Sequence, residues 1–192
     1  MIHDYQQIFQ ISVEPRLTIT NDDQYLFISN WGDGNLKKVS IPNKSVVKTF
    51  ENVIEGGIRT ISATSDDQFL FLYGKNGYLK QMSIDTGQIV EDYGQVHNIS
   101  SPIMSITSDD KFLFLANNHR NLKQISINDK KVIKEYENVM SSQIRSIAVS
   151  QDNDFLFIVD QKGSMKQLSI KEQIIEGDYK NITDTGDIRI AI

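Results

Sequence analysis

The chain has no cysteine, which excludes disulfide bonds, thiolate metal sites and cysteine nucleophiles. Its 192 residues include only three prolines and one tryptophan, and its apolar runs are too short to span a bilayer. The first residues have neither the basic nor the apolar region of a secretory signal. We therefore expect a cytoplasmic chain that does not enter a membrane.

Basic residues are also in deficit. The 25 acidic and 20 basic residues give a net charge of −5. A protein that binds nucleic acid usually presents a basic surplus to the phosphate backbone. The composition therefore predicts that nucleic acid is not a partner.

Internal repetition is the strongest signal in the sequence. The block Thr64–Phe71, with two aspartates before an aromatic-rich run, has counterparts at 20–27, 107–114 and 150–157. A second block recurs in steps of 43 residues, at 36–41, 79–84, 122–127 and 165–170. A third keeps the same step, at 46–50, 89–93, 132–136 and 175–179. Four copies of one structural unit follow from this register.

Each copy predicts four short strands, which we name a to d. In the second copy they are Ile58–Thr64, Phe69–Tyr73, Leu79–Ile84 and Ile89–Tyr93. Asn76-Gly77 suits a tight hairpin between strands b and c, because both residues tolerate positive φ. Short strands at this spacing, with no helical pattern between them, predict an antiparallel all-β fold.

Four strands in a period of 40–45 residues are typical of a β-propeller blade. The block Leu79–Ile84 occupies the place of the WD40 strand that ends in Trp-Asp, and Ser65-Asp66-Asp67 that of its Ser-Pro-Asp-Gly turn. The chain thus resembles WD40 repeats, although Met82-Ser83 stands where the Trp-Asp pair would be. It is also similar to the Tyr-Val-Thr-Asn repeats of lactonase-like propellers. The WD40 resemblance implies a propeller that binds partners on the face carrying the d–a and b–c loops.

The predicted fold is an all-β propeller array of four consecutive four-stranded antiparallel blades, incomplete or open. The repeats cover residues 15–57, 58–100, 101–143 and 144–186. Residues 1–14 are predicted to form strand d of a preceding blade, and 187–192 to begin a further one. The chain would then be an excerpt of a larger propeller, or two chains would share one ring. An open array exposes the faces of its two terminal blades, and we expect self-association through them.

No catalytic motif is present, and the paired aspartates do not have the alternating spacing of a calcium loop. We interpret Asp66-Asp67 and its counterparts as turn residues that bind their own backbone. We therefore expect no metal, no cofactor and no catalytic residues.

Six residues are candidates for partner binding. Three arginines are predicted to share a position at the start of strand a, nearest the propeller axis, and two histidines and the only tryptophan lie in loops: Arg16, Arg59, Arg145, His97, His119 and Trp31. The arginines could instead form salt bridges between blades, the histidines could be solvated, and the Trp31 ring could fold onto its blade edge. An aromatic on a loop is otherwise a typical binding anchor.

The sequence therefore favours a protein–protein interaction scaffold of WD40-like type that is not an enzyme. The alternative is a fragment of a lactonase-like propeller enzyme, which would need acids or histidines beside the strand a arginines. Fold alone does not decide between them, because propellers carry their function in loops.

Overall fold

The computed structural model describes residues 15–96 and 101–180, and these residues contain sixteen β-strands and no helix. They fall into two compact units, residues 1–98 and 99–192, and each unit contributes two four-stranded antiparallel sheets. Every sheet keeps the sequential strand order a-b-c-d and lies within one of the four sequence repeats. The predicted four consecutive four-stranded antiparallel blades are confirmed. The end segments 1–14 and 187–192 lie outside the described residues.

The first unit contains blades 1 and 2. Their strands are β1 (Arg16–Ile19), β2 (Tyr25–Ser29), β3 (Leu36–Ser40), β4 (Ser45–Phe50), β5 (Ile58–Ala63), β6 (Phe69–Gly74), β7 (Tyr78–Ser83) and β8 (Ile89–Gln95). The core lies between the two sheets, where Phe27 and Leu36 of blade 1 pack with Ile61 and Leu70 of blade 2. The a strands of the two blades, β1 and β5, are adjacent, and the Ala63 amide donates to the Thr18 hydroxyl at 3.3 Å.

The second unit contains blades 3 and 4. Their strands are β9 (Ile103–Ile106), β10 (Phe112–Ala116), β11 (Leu122–Ser126), β12 (Lys131–Tyr136), β13 (Ile144–Val149), β14 (Phe155–Asp160), β15 (Met165–Ser169) and β16 (Ile174–Tyr179). Phe114 and Leu122 of blade 3 pack with Ile147 and Leu156 of blade 4. The two units thus build equivalent interblade cores from equivalent residues.

Each a–b turn is held by a side-chain network that explains its repeated sequence. The Thr64 hydroxyl donates to an Asp66 carboxylate oxygen at 2.7 Å and accepts the Phe69 amide at 3.0 Å. The same Asp66 oxygen accepts the Gln68 amide at 2.9 Å, and Asp67 then takes a φ of 57°. The predicted turn role is therefore confirmed for the first aspartate of the pair, Asp66, whose carboxylate binds its own turn.

The second aspartate of this turn also joins neighbouring blades. The Asp67 carboxylate of blade 2 accepts the amides of Asn21 and Asp22 in blade 1, at 2.6 and 2.9 Å. In the second unit, Asn153 of blade 4 accepts the Ser108 amide of blade 3 at 2.8 Å. We call this contact, made by Asp67 and by Asn153, the interblade clasp. It pairs an acceptor side chain at positive φ with backbone donors of the preceding turn.

One prediction about the core is wrong. The sequence repeat makes Phe27, Phe71, Phe114 and Phe157 equivalent, which predicts that all four are buried between neighbouring blades. The first three are fully buried, whereas Phe157 is only partly buried. Phe114 faces blade 4, but among the described residues no blade packs against the corresponding face of blade 4.

Candidate functional site

Two arginines leave the strand ladder at the start of strand a. In blade 2, Ile58 pairs with Gly74 and Thr60 with Tyr73, so Arg59 lies in a β-bulge between them. In blade 4, Arg145 occupies the corresponding bulge between Ile144 and Ser146. β-Bulges redirect side chains and are over-represented beside functional sites. The bulge therefore singles out Arg59 and Arg145.

Arg16 does not share this position, contrary to the expectation from sequence. It pairs with Ser29, which makes it the counterpart of Thr60, and Pro15 is the counterpart of Arg59. The expectation assumed a step of 43 residues between blades 1 and 2, whereas the a–b turns begin 44 residues apart, at Thr20 and Thr64. Proline occupies this position again in blade 3, as Pro102. The position thus alternates, with proline in blades 1 and 3 and arginine in blades 2 and 4.

In the first unit, Arg59 packs on Trp31. Its guanidinium carbon lies 3.5 Å from the centre of the indole ring, within the range of a cation–π contact. Arg16 supports the arrangement by donating from Nε to the Arg59 carbonyl at 3.0 Å. The b–c loop approaches so closely that a methyl group on Gly57, which has a φ of 95°, would lie 2.1 Å from the Trp31 carbonyl oxygen. A glycine is therefore required at position 57.

Trp31 is half-buried and does not project from its loop. Its indole nitrogen is buried and has no hydrogen-bond partner in the described part of the chain. A buried donor without an acceptor is costly and often marks the place of a water or ligand. The Trp31 ring thus packs on Arg59 of the neighbouring blade, and its role as a binding anchor stays a prediction.

The equivalent loop of the second unit has a different surface. Asn117 Oδ1 accepts the amides of His119 and Asn121 at 2.8 and 3.0 Å, and the His119 side chain is exposed. Asn118 stands where blade 1 has Trp31. Arg145 is exposed and has no ion pair or cation–π partner among residues 15–96 and 101–180. The second unit thus presents its bulge arginine to solvent.

Asp160, which sequence reasoning did not single out, fixes the loops beside Arg145. It ends strand b of blade 4 and accepts the Ser142 amide at 3.1 Å, the Ser141 hydroxyl at 3.0 Å and the Lys162 and Ser164 amides at 3.0 Å each. Burial alone would raise the pKa of Asp160, but these hydrogen bonds stabilise the carboxylate and leave the pKa below its usual value. The sequence feature that could have revealed Asp160 is its position in the repeat, which a polar residue also occupies in blades 1 and 3, as Asn30 and Asn117.

A recess of about 290 Å³ opens beside the loops of the first unit. Its lining includes Ile54, Glu55, Tyr78, Lys80 and Asp92. Lys80 Nζ lies 3.6 Å from an Asp92 oxygen, so one carboxylate of the recess is already paired.

The remaining candidate, His97, lies outside the described residues. In the described ranges, no group of three or more histidine, aspartate or glutamate side chains is arranged to hold a metal ion. The same ranges contain no helix of the length and hydropathy needed to cross a membrane.

Comparison with known proteins shows the fold. No protein-family model matches the chain, and no curated protein matches its sequence. Its structure is similar to a solved structure entitled Kuenenia stuttgartiensis Hydrazine Synthase, with a TM-score of 0.75 and 16% identity. The similarity covers 92% of this chain and 52% of that chain, so the present chain spans about half its length.

The fold and the comparison together define an all-β protein of the β-propeller class. At 16% identity the similarity shows the fold alone. The WD40-like character stays a prediction from the repeat sequence.

Proposed function

We propose that this chain is a non-enzymatic, WD40-like scaffold that binds other proteins through the face bearing the b–c loops and the start of strand a. The observation that carries the proposal is the bulge that presents Arg145 to solvent on this face. Arginine is enriched at the energetic centres of protein interfaces.

The chemistry of the face favours an acidic segment of a partner protein. A guanidinium binds a carboxylate through two parallel N–H donors, which a lysine ammonium cannot reproduce. In the first unit, the Arg59 guanidinium is stacked on the Trp31 ring. The net charge of −5 opposes a general attraction of acids, so recognition would depend on these local donors.

The proposal includes no nucleic acid, membrane or cofactor, in line with the charge balance, the short apolar runs and the lack of catalytic motifs. The lactonase-like alternative would require turnover that depends on the same arginines. Such an enzyme would also need acids near the arginines, and the candidates are the Glu55 and Asp92 carboxylates of the recess. One set of variants can separate the two functions.

The test measures binding of a short fluorescent peptide rich in glutamate and aspartate, with a lysine-rich peptide as the matched probe. The acidic peptide should bind the wild-type chain more tightly. Arg145→Ala should weaken that binding about tenfold, the effect expected for an interface arginine. Arg145→Lys should recover only part of the loss, because it restores the charge without the planar fork.

Lys171→Ala is the control, because Lys171 is exposed and lies in the β15–β16 turn, at the opposite end of the same blade. Trp31 is the only tryptophan, so its fluorescence reports whether the peptide reaches the first unit. Equal binding of the two peptides, or an equal effect of Arg145→Ala and Lys171→Ala, would contradict the proposal. Turnover of any substrate that Arg59→Ala abolishes, with peptide binding retained, would favour the enzyme instead.

A further inference from the structure

Blade 1 has an apolar face whose counterparts in blades 2 and 4 are covered. Leu17 and Ile19 on β1 are 64% and 48% exposed. By the ladder register, Leu17 corresponds to Ile61 in blade 2 and Ile147 in blade 4, each of which is 7% exposed. Those two residues are buried because a preceding blade packs on them. We call Leu17, Ile19 and Asp23 the open face of blade 1.

Blade 4 has the complementary face. Tyr179 is 44% exposed, whereas its counterpart Phe50 in blade 1 is 8% exposed against blade 2. Phe157 and Met165 are likewise only partly buried, although their counterparts in blades 1 and 3 are fully buried. We call Phe157, Met165 and Tyr179 the open face of blade 4.

The polar halves of an interblade clasp are present on these same two blades. Asp23 has a φ of 56°, against 57° for Asp67, and its carboxylate makes no hydrogen bond or ion pair in the described part of the chain. In blade 4, the turn that begins at Ser150 has the internal hydrogen bonds of the Thr20 turn. The amides of Gln151 and Asp152, which correspond to the donors that Asp67 binds in blade 1, have no acceptor within the described ranges.

We propose that the open face of blade 1 binds the open face of blade 4 of a second copy of this chain. Inside each unit, an apolar face of the blade 4 type packs on one of the blade 1 type, and a clasp joins their turns. The second copy supplies both parts: apolar side chains for Leu17 and Ile19, and two backbone donors for the negative charge of Asp23. The contact is head-to-tail, because it uses a different surface on each copy.

The pairing of hydrogen-bond donors with acceptors selects this orientation. A contact between two blade 1 faces would bring two Asp23 carboxylates together, and a contact between two blade 4 faces would leave the Gln151 and Asp152 amides without acceptors. Only the mixed contact pairs an acceptor with donors at the edge of an apolar surface.

The test measures sedimentation velocity of the full chain over a range of concentrations, with one variant for each face. Leu17→Glu disables the open face of blade 1, and Tyr179→Glu disables that of blade 4. Neither variant alone should associate, but an equimolar mixture should form a complex of two chains, because each retains the face that the other lacks. Val90→Glu is the control, since Val90 is 48% exposed on β8 of blade 2 and should leave association unchanged.

The clasp is tested by Asp23→Asn and Asp23→Gly. Both residues tolerate positive φ, but only asparagine keeps an acceptor, as Asn153 does. Asp23→Gly should weaken association about tenfold and Asp23→Asn less. A wild-type chain that stays monomeric at all concentrations would overturn the proposal. So would a mixture of the two glutamate variants that does not associate, or a Leu17→Glu variant that associates as the wild type does.

Discussion

The hydroxyl of Tyr136 donates a 3.0 Å hydrogen bond to Oε1 of Gln124, and Gln124 is completely buried. The same pair recurs within blades 2 and 4, as Tyr93 with Gln81 and Tyr179 with Gln167. Blade 1 lacks both members. Its counterparts are Lys38 and Phe50, and the Lys38 ammonium lies 3.8 Å from the centre of the Tyr25 ring.

We predict that Tyr136→Phe lowers the free energy of unfolding by about 1–2 kcal/mol, because it leaves the buried Gln124 oxygen without its donor. Tyr179→Phe is the matched control. Tyr179 is exposed, so water can replace its hydroxyl, and the loss should stay below about 0.5 kcal/mol. Urea unfolding of the two variants measures the difference, and equal losses would contradict the role given to Gln124.

We predict a loss of stability at alkaline pH that depends on two tyrosines. Burial raises the pKa of Tyr136 to about 12, and burial together with the nearby Glu91 charge raises that of Tyr93 to about 12. The unfolded tyrosines titrate near pH 10, so the unfolded chain loses these protons first. Their contribution to stability should be complete below about pH 10 and lost as the pH rises through 12.

Urea unfolding at pH 8, 10 and 11 measures this loss. The double variant Tyr93→Phe, Tyr136→Phe should be less stable than the wild type at pH 8 but should lose less stability on going to pH 11. A decline as steep as that of the wild type would mean that other groups cause it.

We predict that Phe114→Ala destabilises the chain by about 3–5 kcal/mol, the range for a large aromatic removed from a core. Phe157→Ala should cost less than half as much, because Phe157 is only partly buried. The two variants remove the same atoms from equivalent positions, so their difference isolates burial. The measurement is reversible unfolding at a concentration at which the chain is monomeric, and equal losses would show that both sites are equally packed.

We predict that the interblade clasp stabilises the first unit. Asp67→Gly removes the acceptor of the Asn21 and Asp22 amides without opposing the positive φ, and should cost about 1–2 kcal/mol. Asp67→Asn should recover most of the loss, because an amide oxygen serves as acceptor in the second unit. Asp23→Gly is the control and should leave the stability of the monomer within about 0.5 kcal/mol of the wild type. A chain insensitive to Asp67→Gly would show that the clasp contributes nothing.

Much of the fold could be predicted from the repeat alone, because strand length and turn chemistry are local. The sequence predicts strand b of blade 2 as Phe69–Tyr73, and the structure has Phe69–Gly74. It predicts strand d as Ile89–Tyr93, and the structure has Ile89–Gln95. The Thr-x-Asp turn could be predicted for the same reason, since its hydrogen bonds join residues two to five positions apart.

The site was harder to predict, because its contacts join residues of different repeats and depend on how neighbouring blades pack. Sequence spacing cannot show that Arg59 leaves the ladder while Arg16 pairs in it. The clasp joins Asp67 to a turn 45 residues away, and nothing in the period distinguishes this acceptor from Asp66. The period likewise makes Phe157 equivalent to Phe114 but does not say what each one faces.

The alternation of proline and arginine before strand a has a consequence for affinity. Within residues 15–96 and 101–180, one chain carries the bulge arginine twice, as Arg59 and as Arg145, once in each unit. A partner with two acidic segments on one flexible linker would engage the second arginine at an effective concentration set by the linker and not by the partner in solution. Two individually weak contacts would then act as one tight contact, and shortening the linker until it cannot reach both arginines would abolish the gain.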